Sequence, residues 1–147
     1  MGARDRIGAQ VAAKHIGDSG CYFLSILKAA QGIGAMDIDY PGEALAWYWC
    51  GIDKGWLGDD CLVIDGAALL SHLAAVIAYT LHKESADYQA KPGDIEILRF
   101  EVEKTGITYS HFVLGDGKGG VAWDPWPGSL TVRNGKLMSK RIFSPKV

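Results

Sequence analysis

Three side chains able to carry nucleophilic chemistry at a carbonyl lie far apart along the chain: Cys21, His111 and Asp124. Cys21 follows Gly17-Asp18-Ser19-Gly20, a run that resists regular structure, and opens an apolar stretch. A thiol at a helix N-terminus faces unpaired N–H groups and the positive end of the helix dipole. Both favour the thiolate, the nucleophilic form. Gly20 removes bulk beside the sulfur, and the backbone N–H of Cys21 can face a developing oxyanion. Alone, such a cysteine is more often a packed core residue.

His111 changes that balance. It opens the run His111-Phe112-Val113-Leu114 inside an expected strand, where alternation sets Phe112 and Leu114 opposite to His111 and Val113. His111 can then project toward the Cys21 helix, and an imidazole beside a thiol takes its proton. A structural histidine is the plainer alternative. Asp124 directly follows a short strand expected to pair with the His111 strand through the glycine-rich turn 115–120. Hairpin pairing brings its carboxylate within reach of the second imidazole N–H, fixing the tautomer. Pro125 and Pro127 stiffen the loop. Asp also begins turns for local reasons, which is compatible with that role.

The elements that must position these groups divide into a helical front half and a strand-rich back half. A short helical turn is expected over 7–14, and a helix over 21–30 with Phe23, Leu24, Ile26, Leu27 and Ala30 as its buried stripe, stopped by Gly32 and Gly34. A second helix begins near Asp39 or Tyr40, with Pro41 in its first turn and Glu43 at the positive end of its dipole. A third runs over 66–73 with Asp65 as N-cap. Strands are expected over 76–82, 95–102, 108–114 and 121–123, then two short ones near 130–133 and 137–143. Helices first and a mostly antiparallel sheet after them indicate α+β.

The bulk composition fits one domain over residues 1–147, with 48% apolar and 22% charged residues and a net charge of −2. No basic face marks a nucleic-acid binder. The densest basic run, 136–146, reads as an amphipathic last strand with a solvated face. The N-terminus lacks the apolar segment of a secretory signal, and no run approaches the roughly 18 apolar residues of a membrane span, so a cytoplasmic location is expected. Cys50 and Cys61 read as small buried apolar residues and not as a disulfide.

The order of these motifs is that of papain-like cysteine hydrolases. Asp18-Ser19-Gly20-Cys21-Tyr22-Phe23-Leu24-Ser25, then Ser110-His111-Phe112-Val113-Leu114, then Val121-Ala122-Trp123-Asp124-Pro125 resemble bacterial peptidases of the bacteriocin-processing, C39-like group. The chain is also similar to short uncharacterised bacterial and phage proteins with the same glycine-cysteine helix start. The resemblance implies a papain-like fold, a Cys21 nucleophile, His111 as base and then acid, and Asp124 as orienter. It implies a peptide or peptidoglycan-stem substrate and a phage or mobile-element setting. One position departs. Papain-like enzymes carry a Gln about six residues before the nucleophile as an oxyanion donor, whereas this chain has His15 there, with Gln10 eleven residues upstream. His15, Ser19, Gln10 or the Cys21 N–H must take that role, and losing one donor costs roughly 10²–10³ in rate. Loss of turnover would leave a binding module on the same fold.

Other groups support less. Trp47, Trp56, Trp123 and Trp126 are candidates for a substrate groove, although dense tryptophans are more often core. His72 reads as packed or surface and His82 as solvent-facing. A zinc site from Cys21, His111 and Asp124 lacks a local ligand pair. The glycine-rich turn lacks the Lys-Ser or Lys-Thr of a phosphate loop, and Asp59-Asp60 lacks the oxygen-ligand repeat of a calcium loop. No cofactor is implied.

Overall fold

A computed structural model describes residues 2–33, 42–75 and 77–146. The elements in chain order are α1 (Ala3–Arg6), α2 (Ala9–Ser19), α3 (Cys21–Gly32), α4 (Gly42–Asp53), α5 (Gly66–Ala74), β1 (Tyr79–Ser85), β2 (Ile95–Lys104), β3 (Ile107–Gly115), β4 (Val121–Trp123), α6 (Leu130–Asn134) and β5 (Lys136–Pro145). The chain is α+β, with helices packed on a five-stranded antiparallel sheet ordered β1-β5-β2-β3-β4.

The core forms where the apolar stripes of the helices meet one face of the sheet. α3 buries Phe23, Leu24, Ile26, Leu27 and Ala30, as its spacing requires, and packs chiefly on β3. α5 adds Leu69, Leu70 and Leu73, and the sheet adds Ile97 and Phe143. Asp65 caps α5 as expected: its Oδ1 accepts the Ala68 N–H at 3.0 Å.

Several expectations are corrected. The turn expected over 7–14 is replaced by two helices: α1 ends before Ile7, and α2 runs on through Gly17, Asp18 and Ser19. Ala12 and Ile16 give α2 a buried stripe, and Lys14 pairs with Asp18 one turn on at 2.6 Å, so only Gly20 interrupts the helical path into α3. Residues 130–133 form the single-turn helix α6 and no strand. The basic run 136–146 is exposed only at Lys136, Met138 and Lys146, not along one whole face. Its strand β5 lies between β1 and β2, with Ser139, Lys140, Ile142 and Phe143 all buried. Lys140 is accommodated because its Nζ lies 3.2 Å from the fully buried Glu96 carboxylate and donates to the Tyr88 carbonyl at 2.7 Å. The helix stop at Gly34, the helix start at Asp39, Tyr40 and Pro41, and the strand start at Val76 lie outside the described residues. No helix among the described residues is long and apolar enough to cross a membrane.

Candidate active site

The junction between α2 and α3 presents the sulfur. Gly20 separates the helices, and a Cβ there would sit 2.9 Å from the Ile16 Cα and overlap the Ile16 carbonyl oxygen. The position is therefore restricted to glycine by close approach, since its φ of −92° suits any residue. Cys21 becomes the first residue of α3, where backbone N–H groups lack intrahelical partners. The helix is pinned one turn on, where the Ser25 hydroxyl donates to the Cys21 carbonyl at 2.8 Å.

Strand β3 meets this junction along its edge. It pairs with β2 over its length on one side, but with β4 only at Leu114 and Gly115 on the other. The Phe112 N–H on that open edge donates to the Cys21 sulfur at 3.4 Å. His111, the preceding residue, is only 4% exposed. Its Nε2 lies 2.6 Å from Asp124 Oδ1, leaving Nδ1 as the free ring nitrogen. The same Asp124 oxygen accepts the Trp126 N–H at 2.8 Å. The turn contact and the imidazole contact of Asp124 thus use one oxygen.

Burial pushes the proton affinity of the His111 imidazole down. Hydrogen bonding to Cys21 and to Asp124, with the negative charges of both, outweighs this and leaves it above the ordinary histidine value. A raised proton affinity favours the imidazolium, the form of the ring that can give a proton to a leaving group.

Beside the sulfur lies a cavity of about 460 Å³ lined in part by Asp18, Ser19, Tyr22, Phe112 and Arg141. This falls within the roughly 300–1,000 Å³ of small-ligand sites. Its outer wall is the loop of Cys61, Leu62 and Val63. That loop is closed by the Gly58 N–H bonded to the Leu62 carbonyl at 2.8 Å, by the Tyr48 hydroxyl bonded to the Asp59 carbonyl, and by a bridge between Leu57 and Val63. Cys61 holds the left-handed conformation at φ 70°, a strained setting for a non-glycine residue. Burial pushes its thiol up, so it is a poor nucleophile beside Cys21.

The structure divides the oxyanion candidates. The Cys21 N–H and Ser19 stand at the cavity. Gln10 is exposed at the second residue of α2, roughly 14 Å along the helix axis from Ser19 at about 1.5 Å per residue, so it does not reach the sulfur. His15 is engaged elsewhere. The Tyr48 hydroxyl proton goes to the Asp59 carbonyl, so His15 Nδ1–H donates to the Tyr48 oxygen at 2.8 Å.

None of the four tryptophans lines the cavity. Trp47 and Trp56 pack on the exposed His72, with ring centroids 5.7 and 5.2 Å away. Trp123 lies under the Lys28 ammonium at 5.6 Å, and Trp126 packs against the core. The aromatic surface facing the sulfur is Tyr22 stacked on Phe112, with centroids 4.5 Å apart. His82 is half-exposed, its Nε2 3.2 Å from the Ser144 hydroxyl. Cys61 is buried, Cys50 is half-buried, and both are free thiols. The residues missed by sequence reasoning are Tyr22, the Phe112 N–H, the 61–63 loop and Arg141. Tyr22 had a signal in its place next to Cys21; the others depend on long-range pairing.

These observations define an α+β domain that gathers a thiol, an imidazole and a carboxylate at one sheet edge beside a ligand-sized cavity. The chain belongs to the family described as "Protein of unknown function, DUF261", whose model matches residues 7–145. No curated protein and no solved structure matches it.

Proposed function

We propose that this protein is a cysteine hydrolase of the papain-like class that cleaves a peptide or amide bond. The observation that carries the reading is the buried His111 ring, bonded through Nε2 to Asp124, in the residue next to Phe112, whose N–H donates to the Cys21 sulfur. The Cys21 sulfur attacks the substrate carbonyl carbon, and the carbonyl electron pair moves to oxygen. Collapse of that intermediate breaks the carbon–nitrogen bond, and the leaving amine takes a proton from His111. Water, deprotonated by His111, then attacks the thioester and restores the thiol. Asp124 keeps the ring oriented throughout. A peptide, a peptidoglycan stem peptide and an isopeptide all present this carbonyl.

A second reading, a binding module without turnover, draws support from the oxyanion site. The glutamine of the papain-like pattern is missing, and His15 is committed to Tyr48. Alkylation with iodoacetamide near neutral pH, read at each cysteine by mass spectrometry, tests the nucleophile. Cys21 is expected to react far faster than Cys50 or Cys61, and equal slow rates at all three would refute the assignment. Accumulation of an acyl adduct on Cys21 from an activated ester, followed by its decay, separates turnover from binding alone.

A further inference from the structure

Arg141 carries a charge that no carboxylate among the described residues neutralises. It projects from β5 into the cavity that Cys21 lines. Among the described residues, no carboxylate lies within ion-pairing distance of its guanidinium. Its side-chain hydrogen bond is to the Ser139 hydroxyl at 3.0 Å, which leaves most of its five N–H donors unspent. The neighbouring cation differs: Arg99 is ion-paired with Glu101 and donates to the Ser110 hydroxyl at 3.0 Å. The acidic residue on the cavity wall, Asp18, is already paired with Lys14 at 2.6 Å.

The guanidinium is also held in place. It lies over the Phe112 ring at 5.4 Å, and Phe112 stacks on Tyr22, so the aromatic pair fixes its stem and plane. Burial and the charge of Arg99 both press the Arg141 proton affinity down, and the Tyr22 side chain counters them. The Tyr22 hydroxyl is buried without a hydrogen-bond partner among the described residues. A half-buried, oriented and unpaired arginine in a cavity is the arrangement that binds a carboxylate through two parallel N–H donors.

We infer that Arg141 is a specificity residue for a carboxylate carried by the substrate close to the bond that Cys21 attacks. The inference rests on the hydrolase reading and names its substrate class: acidic peptides or amides. The carboxylate is either an acidic side chain or a free chain terminus. Leu62, 63% exposed, offers an apolar contact across the cavity from the charge.

The test compares alkylation of Cys21 by iodoacetate and by iodoacetamide, reagents that differ in a carboxylate. In each, the sulfur displaces iodide and forms a carbon–sulfur bond. The ratio of the two rates is expected to fall by about threefold to tenfold in Arg141→Gln, the effect of one unit charge several ångströms away in a wet cavity. Arg141→Lys restores the ratio in large part, and Arg99→Gln leaves it near the native value. The native ratio falls in 1 M salt, where the screening length is about 3 Å. An unchanged ratio in Arg141→Gln overturns the inference even where Cys21 remains the fastest thiol. A slow Cys21 with both reagents overturns the hydrolase reading instead. Protection of Cys21 from iodoacetamide by short acetylated peptides identifies the source of the carboxylate. A Glu-containing amide that protects assigns the side chain, and a Gln-containing free acid that protects assigns the terminus. Equal protection by the neutral Gln-containing amide overturns the specificity.

Discussion

Replacing Asp124 by Ala removes the partner of a nearly enclosed ring. His111 and Asp124 side chains are 5% and 14% exposed, and their contact is 2.6 Å long. A hydrogen bond to a charged group contributes roughly 1.5–3 kcal/mol, and each 1.36 kcal/mol corresponds to one unit of proton affinity. The contributions that lift His111 come from Cys21 and Asp124, against burial, which lowers it. Deleting Asp124 therefore removes one of the two contributions that oppose burial, and the imidazolium loses its proton at a lower pH. The alkaline limb of a pH profile for Cys21 alkylation, or the titration of the His111 ring by NMR, should move down accordingly. Asp124→Asn keeps an acceptor without the charge and should move it less. Stability responds with the same sign. Because the folded His111 binds its proton more tightly than the unfolded one, its contribution is fully present below the unfolded value of about 6.5. That contribution disappears as pH rises through the higher folded value, so the native protein should lose more stability across this window than Asp124→Ala. A His111 titration unmoved by Asp124→Ala would refute the reasoning.

Further expectations concern the scaffold. Gly20→Ala should destabilise the fold by about 1–3 kcal/mol in urea denaturation, because the added methyl meets Ile16 backbone that cannot yield. It should also slow Cys21 alkylation by displacing the junction. Lys140→Met leaves the fully buried Glu96 carboxylate without its cation and should cost about 3–5 kcal/mol, whereas pairing it with Glu96→Leu should recover much of that loss in a double-mutant cycle. Asp65→Ala removes the α5 cap and should cost about 1 kcal/mol, while Asp65→Ser should restore most of it.

Where a local pattern was complete, the sequence reading matched the fold. The apolar spacing of α3, the Asp65 cap and the β3–β4 hairpin each depend on residues within a few positions of one another, and each is found as expected. The third helix and the Asp124 turn follow for the same reason. Misreadings arose where a distant partner decided the outcome. Gly17, Asp18 and Ser19 favour a loop in isolation, but Ile16 and Ala12 anchor them to a helix by packing. Lys140 argues for a solvated strand face until Glu96 arrives from β2. Residues 130–133 have strand-forming Thr and Val, yet they form one helical turn on β2 and β3 before β5 begins. At the site, the contact between His111 and Asp124 was legible because a local hairpin joins their strands, and the start of α3 at Cys21 because Gly20 precedes an apolar run. The cavity beside Cys21 was not, since its walls come from the end of α2, the start of α3, the 61–63 loop, β3 and β5. Tryptophan density was a misleading guide to that cavity, because three-dimensional packing and not abundance chose which rings face the sulfur.

The place of β5 in the sheet bears on how the protein comes to life during synthesis. The strand inserted between β1 and β2 is the last of the five to leave the ribosome, after Cys21, His111 and Asp124 have all emerged. Translation at about 5–20 residues per second leaves an interval in which β1 and β2 have no neighbour to join them. A nascent chain at that stage lacks the wall that bears Arg141, so the cavity beside Cys21 is completed only when the sheet is closed at its centre.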